Sequence, residues 1–76
     1  SVNSQTRLRN IVNEQLNKIS ETVAKLSSRV KDEVVKIKLD EVSKAITPIS
    51  KKDRITDNHL INLMQYYDLV NELKSL

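Results

Sequence analysis

Residues 12–30, VNEQLNKISETVAKLSSRV, carry one regular apolar stripe, from which the rest of the chain can be interpreted. Apolar residues recur there at alternating steps of four and three residues. In an α-helix this alternation keeps them on one narrow face, which is the pattern of a coiled-coil seam. The residues predicted to form an oligomer interface are Val12, Leu16, Ile19, Val23, Leu26, Val30 and, further along the same face, Ile37.

A second stripe begins after Val30, on nearly the opposite face of a continuous helix. Val35 lies about 140° around the helix axis from Val30. The stripe continues through Leu39, Val42 and Ile46. Because no glycine or proline interrupts residues 7–46, we expect one long helix there. Its first half would pack against one neighbour and its second half against another.

The single proline, Pro48, predicts where this long helix ends, since proline lacks an N–H and disfavours helix in the preceding residue. The predicted organisation is a single module: a coiled-coil helix within residues 1–46, a connection over 47–56 and a second helix over 57–76. We expect Tyr67 to pack in the core and Tyr66 to contact a partner protein. The residues predicted to pack on the second face or to bind a partner are Val35, Leu39, Val42, Ile46, Leu60, Leu63, Met64, Tyr67, Val70 and Leu73.

Composition favours self-association. A chain this short buries only about 60% of the surface that its unfolded form exposes when it folds alone, and this one has no Cys, Trp or Phe to strengthen a core. The fold class predicted is therefore all-α: a coiled-coil or helical-bundle homo-oligomer, with a homodimer favoured. Parallel and antiparallel pairing both stay open, because most charge pairs that specify a parallel dimer are missing. The net charge is +3, yet residues 55–76 carry one Lys against three acidic side chains, which favours packing beside the basic remainder.

No catalytic, cofactor-binding or metal-ligating residue is predicted. His59 is the only His and has Leu63, not a ligand, four residues later. The acidic pairs at 32–33 and 40–41 stand among lysines, which is typical of a solvated face. The basic segment 51–54 is short and contains Asp53, so nucleic-acid binding is the weakest alternative. No apolar run reaches membrane-spanning length, so we expect no membrane partner. Neither a signal-peptide pattern nor an Asn-x-Ser/Thr acceptor is present, which favours an intracellular location.

Three segments resemble the carboxy-terminal coiled coil of the WAC-type adaptor and its yeast counterpart. They are residues 28–33 (SRVKDE), residues 46–55 and residues 72–76 (ELKSL). Adaptors of this family partner the RING ligase that monoubiquitinates a nucleosomal histone. The resemblance implies a homo-oligomerisation and ligase-docking segment, in the nucleus rather than the cytoplasm. It assigns no role to an individual residue.

The function predicted is a non-enzymatic oligomerisation and scaffold module within a larger protein complex. The resemblance adds an adaptor role for a chromatin-associated ubiquitin ligase. The alternative is a helical subunit fragment of a hetero-complex, such as a chromatin, kinetochore or tethering assembly, whose seam pairs with another protein's helix.

Overall fold

Three α-helices make up most of residues 3–76, the part of the chain that the computed structural model describes. Helix α1 spans Ser4–Arg29, α2 spans Glu33–Ser50 and α3 spans Asp57–Lys74. Each helix packs against both of the others, and the bundle measures 47 × 17 × 16 Å. The prediction of an all-helical fold is confirmed.

The prediction of one continuous helix over residues 7–46 is wrong, because the chain turns between Arg29 and Glu33. Val30 and Asp32 both have extended backbone angles. The Asp32 carboxylate caps α2 by accepting hydrogen bonds from the backbone N–H groups of Val34, at 2.8 Å, and Val35, at 3.1 Å. The turn lets the second apolar stripe fold back onto the first, so two stripes that would point apart in one helix share a core.

Replacing Asp32 with Ala is expected to lower the free energy of unfolding by about 1 kcal/mol, because two N–H groups at the start of α2 lose their acceptor. Chemical denaturation followed by circular dichroism measures the change. Glu41→Ala removes an exposed carboxylate further along the same helix and serves as the control. Equal losses from both variants would contradict a capping role for Asp32.

Helix α2 extends past the position predicted for its end. It continues through Pro48 to Ser50, although the sequence predicts a connection from residue 47. A proline in the last turn of a helix removes a single backbone hydrogen bond, the one that would reach the carbonyl of residue 44. The extra turn buries Ile49, which is 6% exposed, and this burial offsets the lost bond. The true connection is 51–56.

All buried side chains of residues 3–76 are apolar, and they form one continuous core. Each helix contributes a stripe, and the connection before α3 adds one further residue. The buried residues are Val12, Leu16, Ile19, Val23, Leu26, Val35, Leu39, Val42, Ile46, Ile49, Ile55, Leu63, Val70 and Leu73.

A paired amide contact joins the first turn of α1 to the connection between α2 and α3. Gln5 Nε2 donates to the carbonyl oxygen of Ile55 at 3.0 Å, and the N–H of Ile55 donates to Gln5 Oε1 at 3.1 Å. These two bonds satisfy both backbone polar groups of a residue whose side chain is 2% exposed. The start of α3 is therefore held beside the start of α1, and the two helices run in the same direction.

Candidate protein-interaction surface

An open groove of about 320 Å³ lies between α1 and α3. We call it the α1–α3 groove. Helix α1 supplies one wall and α3 the floor and the other wall. Its lining residues are Ile11, Gln15, Leu60, Leu63, Met64, Tyr67 and Asp68.

The rim of the α1–α3 groove exposes large apolar side chains. Ile11 is 50% exposed, Met64 is 67% exposed and Tyr67 is 39% exposed. Ile61, the next apolar residue on the outer side of α3, is 51% exposed. Single exposed apolar residues are common, whereas several around one groove are typical of an interaction site. Methionine and tyrosine are also enriched in the core of protein interfaces.

Most residues predicted to form an oligomer interface lie inside the bundle. Five are buried against α2 and α3, Val30 is half-buried at the end of α1, and Ile37 is 58% exposed on the outside of α2. The five buried residues are Val12, Leu16, Ile19, Val23 and Leu26. Because α2 and α3 of the same chain cover this stripe, its side chains are not accessible to a partner in the folded bundle.

The residues predicted to pack on the second face or to bind a partner divide into two groups. Val35, Leu39, Val42, Ile46, Leu63, Val70 and Leu73 are buried in the core. Leu60 is half-buried in the floor of the α1–α3 groove, while Met64 and Tyr67 are exposed on its rim.

The expectation for the two tyrosines is reversed: Tyr66 packs against the core, and Tyr67 faces the groove. The reason is that α1 and α2 cover the Leu63–Val70 face of α3.

Two residues with a role in the core or the groove, Ile55 and Ile11, are not among those predicted from the sequence. Ile55 lies in a segment treated only as a connection, yet it is among the most deeply buried side chains. Ile11 precedes the stripe by one residue and lines the groove beside it. The available signal for Ile11 was its place on the flank of the Val12 stripe, where a third helix can reach it.

The remaining polar candidates have structural roles. His59 completes the cap of α3: its Nδ1 accepts a hydrogen bond from the N–H of Thr56 at 3.0 Å, while the Thr56 hydroxyl accepts one from the His59 N–H. Asp40 bonds Lys44 at 2.8 Å, and this hydrogen bond, with the opposite charge, raises the pKa of Lys44. Glu33 pairs with Lys36 at 3.5 Å. Within residues 3–76 no cluster of three or more His, Cys, Asp or Glu side chains could hold a metal ion.

A smaller groove of about 160 Å³ lies on the other side of α1, against α2. Four of its six lining residues carry hydroxyl groups: Ser20, Ser43, Thr47 and Ser50. The basic side chains of 51–54 are exposed on the connection beyond α2. Neither feature exposes a large apolar side chain, so the α1–α3 groove is the stronger candidate for binding a protein.

Comparisons of the chain with protein-family models, with curated proteins and with solved structures found no match. In the described part of the chain, no helix has the length and hydropathy needed to cross a membrane.

Proposed function

We propose that this chain is a non-enzymatic helical assembly module that binds a protein surface through the α1–α3 groove. The observation that carries the proposal is the cluster of exposed Ile11, Met64 and Tyr67 around one concave, mainly apolar surface. A groove between two helices is a common receptor for an apolar helix face.

The proposal keeps the assembly role inferred from the sequence but changes the surface. The Val12–Val30 stripe is occupied by α2 and α3, so a partner would have to open the bundle to reach it. The α1–α3 groove is accessible without unfolding. Binding there adds to the buried apolar area and leaves the core in place.

A more specific proposal, an adaptor for a chromatin-associated ubiquitin ligase in the nucleus, is supported by the sequence resemblance alone. Residues 28–33 of that resemblance span the turn between α1 and α2. The helical-subunit alternative uses the same groove, with another protein's helix as the occupant.

Photo-cross-linking tests the proposal because Met64 is the only methionine in the sequence. A diazirine analogue of methionine placed at residue 64 by chemical synthesis of the chain therefore labels the groove rim alone. The labelled chain is irradiated in an extract of the cells that produce it, and products are identified by mass spectrometry. We expect a product that unlabelled wild-type chain competes away and that a Met64→Lys chain does not.

The matched control moves the label to the outside of α2. A chain carrying Met64→Ile and Ile37→Met places it at a residue with similar exposure, 58% against 67%. Equal yields from both positions, or competition by Met64→Lys, would contradict the proposed surface. The cross-linked peptides also show whether the occupant is another copy of this chain or a different protein.

A further inference from the structure

We propose that the occupant of the α1–α3 groove is a second copy of this chain, bound so that α1 of each copy lies against α3 of the other. The two copies are related by a twofold axis parallel to the helices. This inference rests on the proposed function and specifies the partner.

Because α1 and α3 run in the same direction, each residue of α1 can be matched with the residue of α3 at the same height along the bundle axis. We call two such residues level. The Gln5–Ile55 contact places residues 50 positions apart side by side. Both helices rise about 1.5 Å per residue, so an offset of about 50 continues along the bundle. The groove lining agrees, because Ile11 and Gln15 of α1 lie opposite residues 60–68 of α3. Arg7 is then level with Asp57, and Lys18 is level with Asp68.

These four charges flank the groove with matched spacing. Arg7 and Lys18 are eleven residues apart on α1, which returns to nearly the same side of a helix, and Ile11 lies between them on that side. Asp57 and Asp68 are also eleven residues apart, with Met64 between them on α3. All four are exposed. At these two levels the α1 edge of the groove is basic and the α3 edge is acidic, while Glu14 is an acidic side chain on the α1 edge between them.

In residues 3–76 the ion pairs within 4.0 Å involve only the α2 side chains of residues 33, 36, 40 and 44. Arg7 and Lys18 thus form no such pair with Asp57 and Asp68 across the groove of one chain. Their charged groups stay available to an opposing surface.

Symmetry selects the arrangement. A twofold axis parallel to the helices keeps each residue at its own level and exchanges the two edges. The basic edge of one copy then meets the acidic edge of the other, twice per dimer. An axis perpendicular to the helices would instead set α1 against α1 and α3 against α3, so that like charges meet. The apolar rims meet at the centre in the parallel arrangement, with Met64 and Tyr67 of each copy against Ile11 of the other.

Reversing one charge at a time tests the arrangement. Lys18→Glu should weaken self-association about tenfold, because two exposed ion pairs per dimer become repulsive. Asp68→Lys should do the same. Sedimentation equilibrium at low salt measures both variants and their equimolar mixture, and circular dichroism checks that each variant folds.

The equimolar mixture of the two variants should associate again. In the mixed dimer, the glutamate introduced at position 18 of one chain would face the lysine introduced at position 68 of the other. The second pair of edges is unaltered, so Lys18 would still face Asp68 there.

The mixture is decisive because it restores attraction only between chains. Within each variant chain, the altered edge still faces a like charge, so an intramolecular explanation predicts no recovery. Met64→Glu should abolish association, because it sets a second carboxylate level with Glu14 of the other copy at the apolar centre of the interface, while Ile37→Lys, a charge on the outside of α2, should leave association at the wild-type level.

Three results would overturn the inference. They are a wild-type chain that is monomeric at millimolar concentration, a mixture no more associated than its parts, and a dimer that survives Met64→Glu. A dimer of that kind would use a different interface, for example one in which two copies exchange helices after the turn between α1 and α2 opens. A monomeric chain whose residue 64 cross-links to a different protein would refute the second copy and still support the assembly module.

Discussion

Leu39→Ala is expected to lower the free energy of unfolding by about 2–5 kcal/mol. The Leu39 side chain is 1% exposed and lies in the core that α2 shares with α1 and α3. Its truncation removes apolar contacts and leaves a cavity that the neighbouring helices fill only in part. A bundle of this size has a total stability of roughly 4–11 kcal/mol, so the variant should melt at a much lower temperature. Thermal and urea denaturation measure the loss.

Ile37→Ala is the matched control for Leu39→Ala, because it truncates a side chain of similar size two residues earlier on the same helix. Ile37 is 58% exposed, so the expected change is within about 0.5 kcal/mol. Similar losses from both variants would mean that α2 buries two faces. That is the behaviour expected of the single long helix, and it would contradict the fold.

The apolar periodicity of the sequence predicts most of the core. Every residue of the Val12–Leu26 stripe is buried, and so are the members of the second stripe from Val35 to Ile46. The helical class follows from the same pattern. The start of α3 at Asp57 also agrees with the position at which the sequence places it.

The turn between α1 and α2 was missed because it contains neither glycine nor proline. The backbone angles of Val30 and Asp32 lie in the extended region, which any residue can adopt, so no special residue type marks the turn. The signal was instead the jump of about 140° between Val30 and Val35. A long helix buried on both faces and a turn that folds one stripe onto the other both explain such a jump. The structure has the turn, and Asp32 caps it.

An apolar stripe predicts that a helix face is buried, but it does not predict whether the same chain or a second chain covers that face. The side chains from Val12 to Leu26 need about the same burial whether the neighbouring helices belong to the same molecule or to a second copy. The sequence therefore predicts a buried face correctly, but the assignment of that face to an oligomer interface does not follow from the pattern. The α1–α3 groove was harder to predict, since it is formed by two segments about 50 residues apart.

Ile55→Ala is expected to destabilise the bundle by about 2–5 kcal/mol, although Ile55 belongs to no helix. Its side chain is 2% exposed, and its backbone forms both hydrogen bonds to Gln5. Removing the side chain leaves a cavity in the shared core, and it frees the connection that aligns α3 with α1. Urea denaturation measures the loss of stability. Ile61→Ala, the same truncation at a side chain that is 51% exposed, should change stability by less than about 1 kcal/mol.

A double-mutant cycle separates the burial of Ile55 from its contact with Gln5. Gln5→Ala leaves the N–H and carbonyl of residue 55 without partners, so it should be destabilising by itself. If the side chain of Ile55 holds that backbone in place for Gln5, the double variant should lose less stability than the two single losses added together. Strict additivity would mean that the amide pairing survives truncation. The register of α1 against α3, on which the charge pairing between two copies depends, would then be held by the backbone contact without help from the buried side chain.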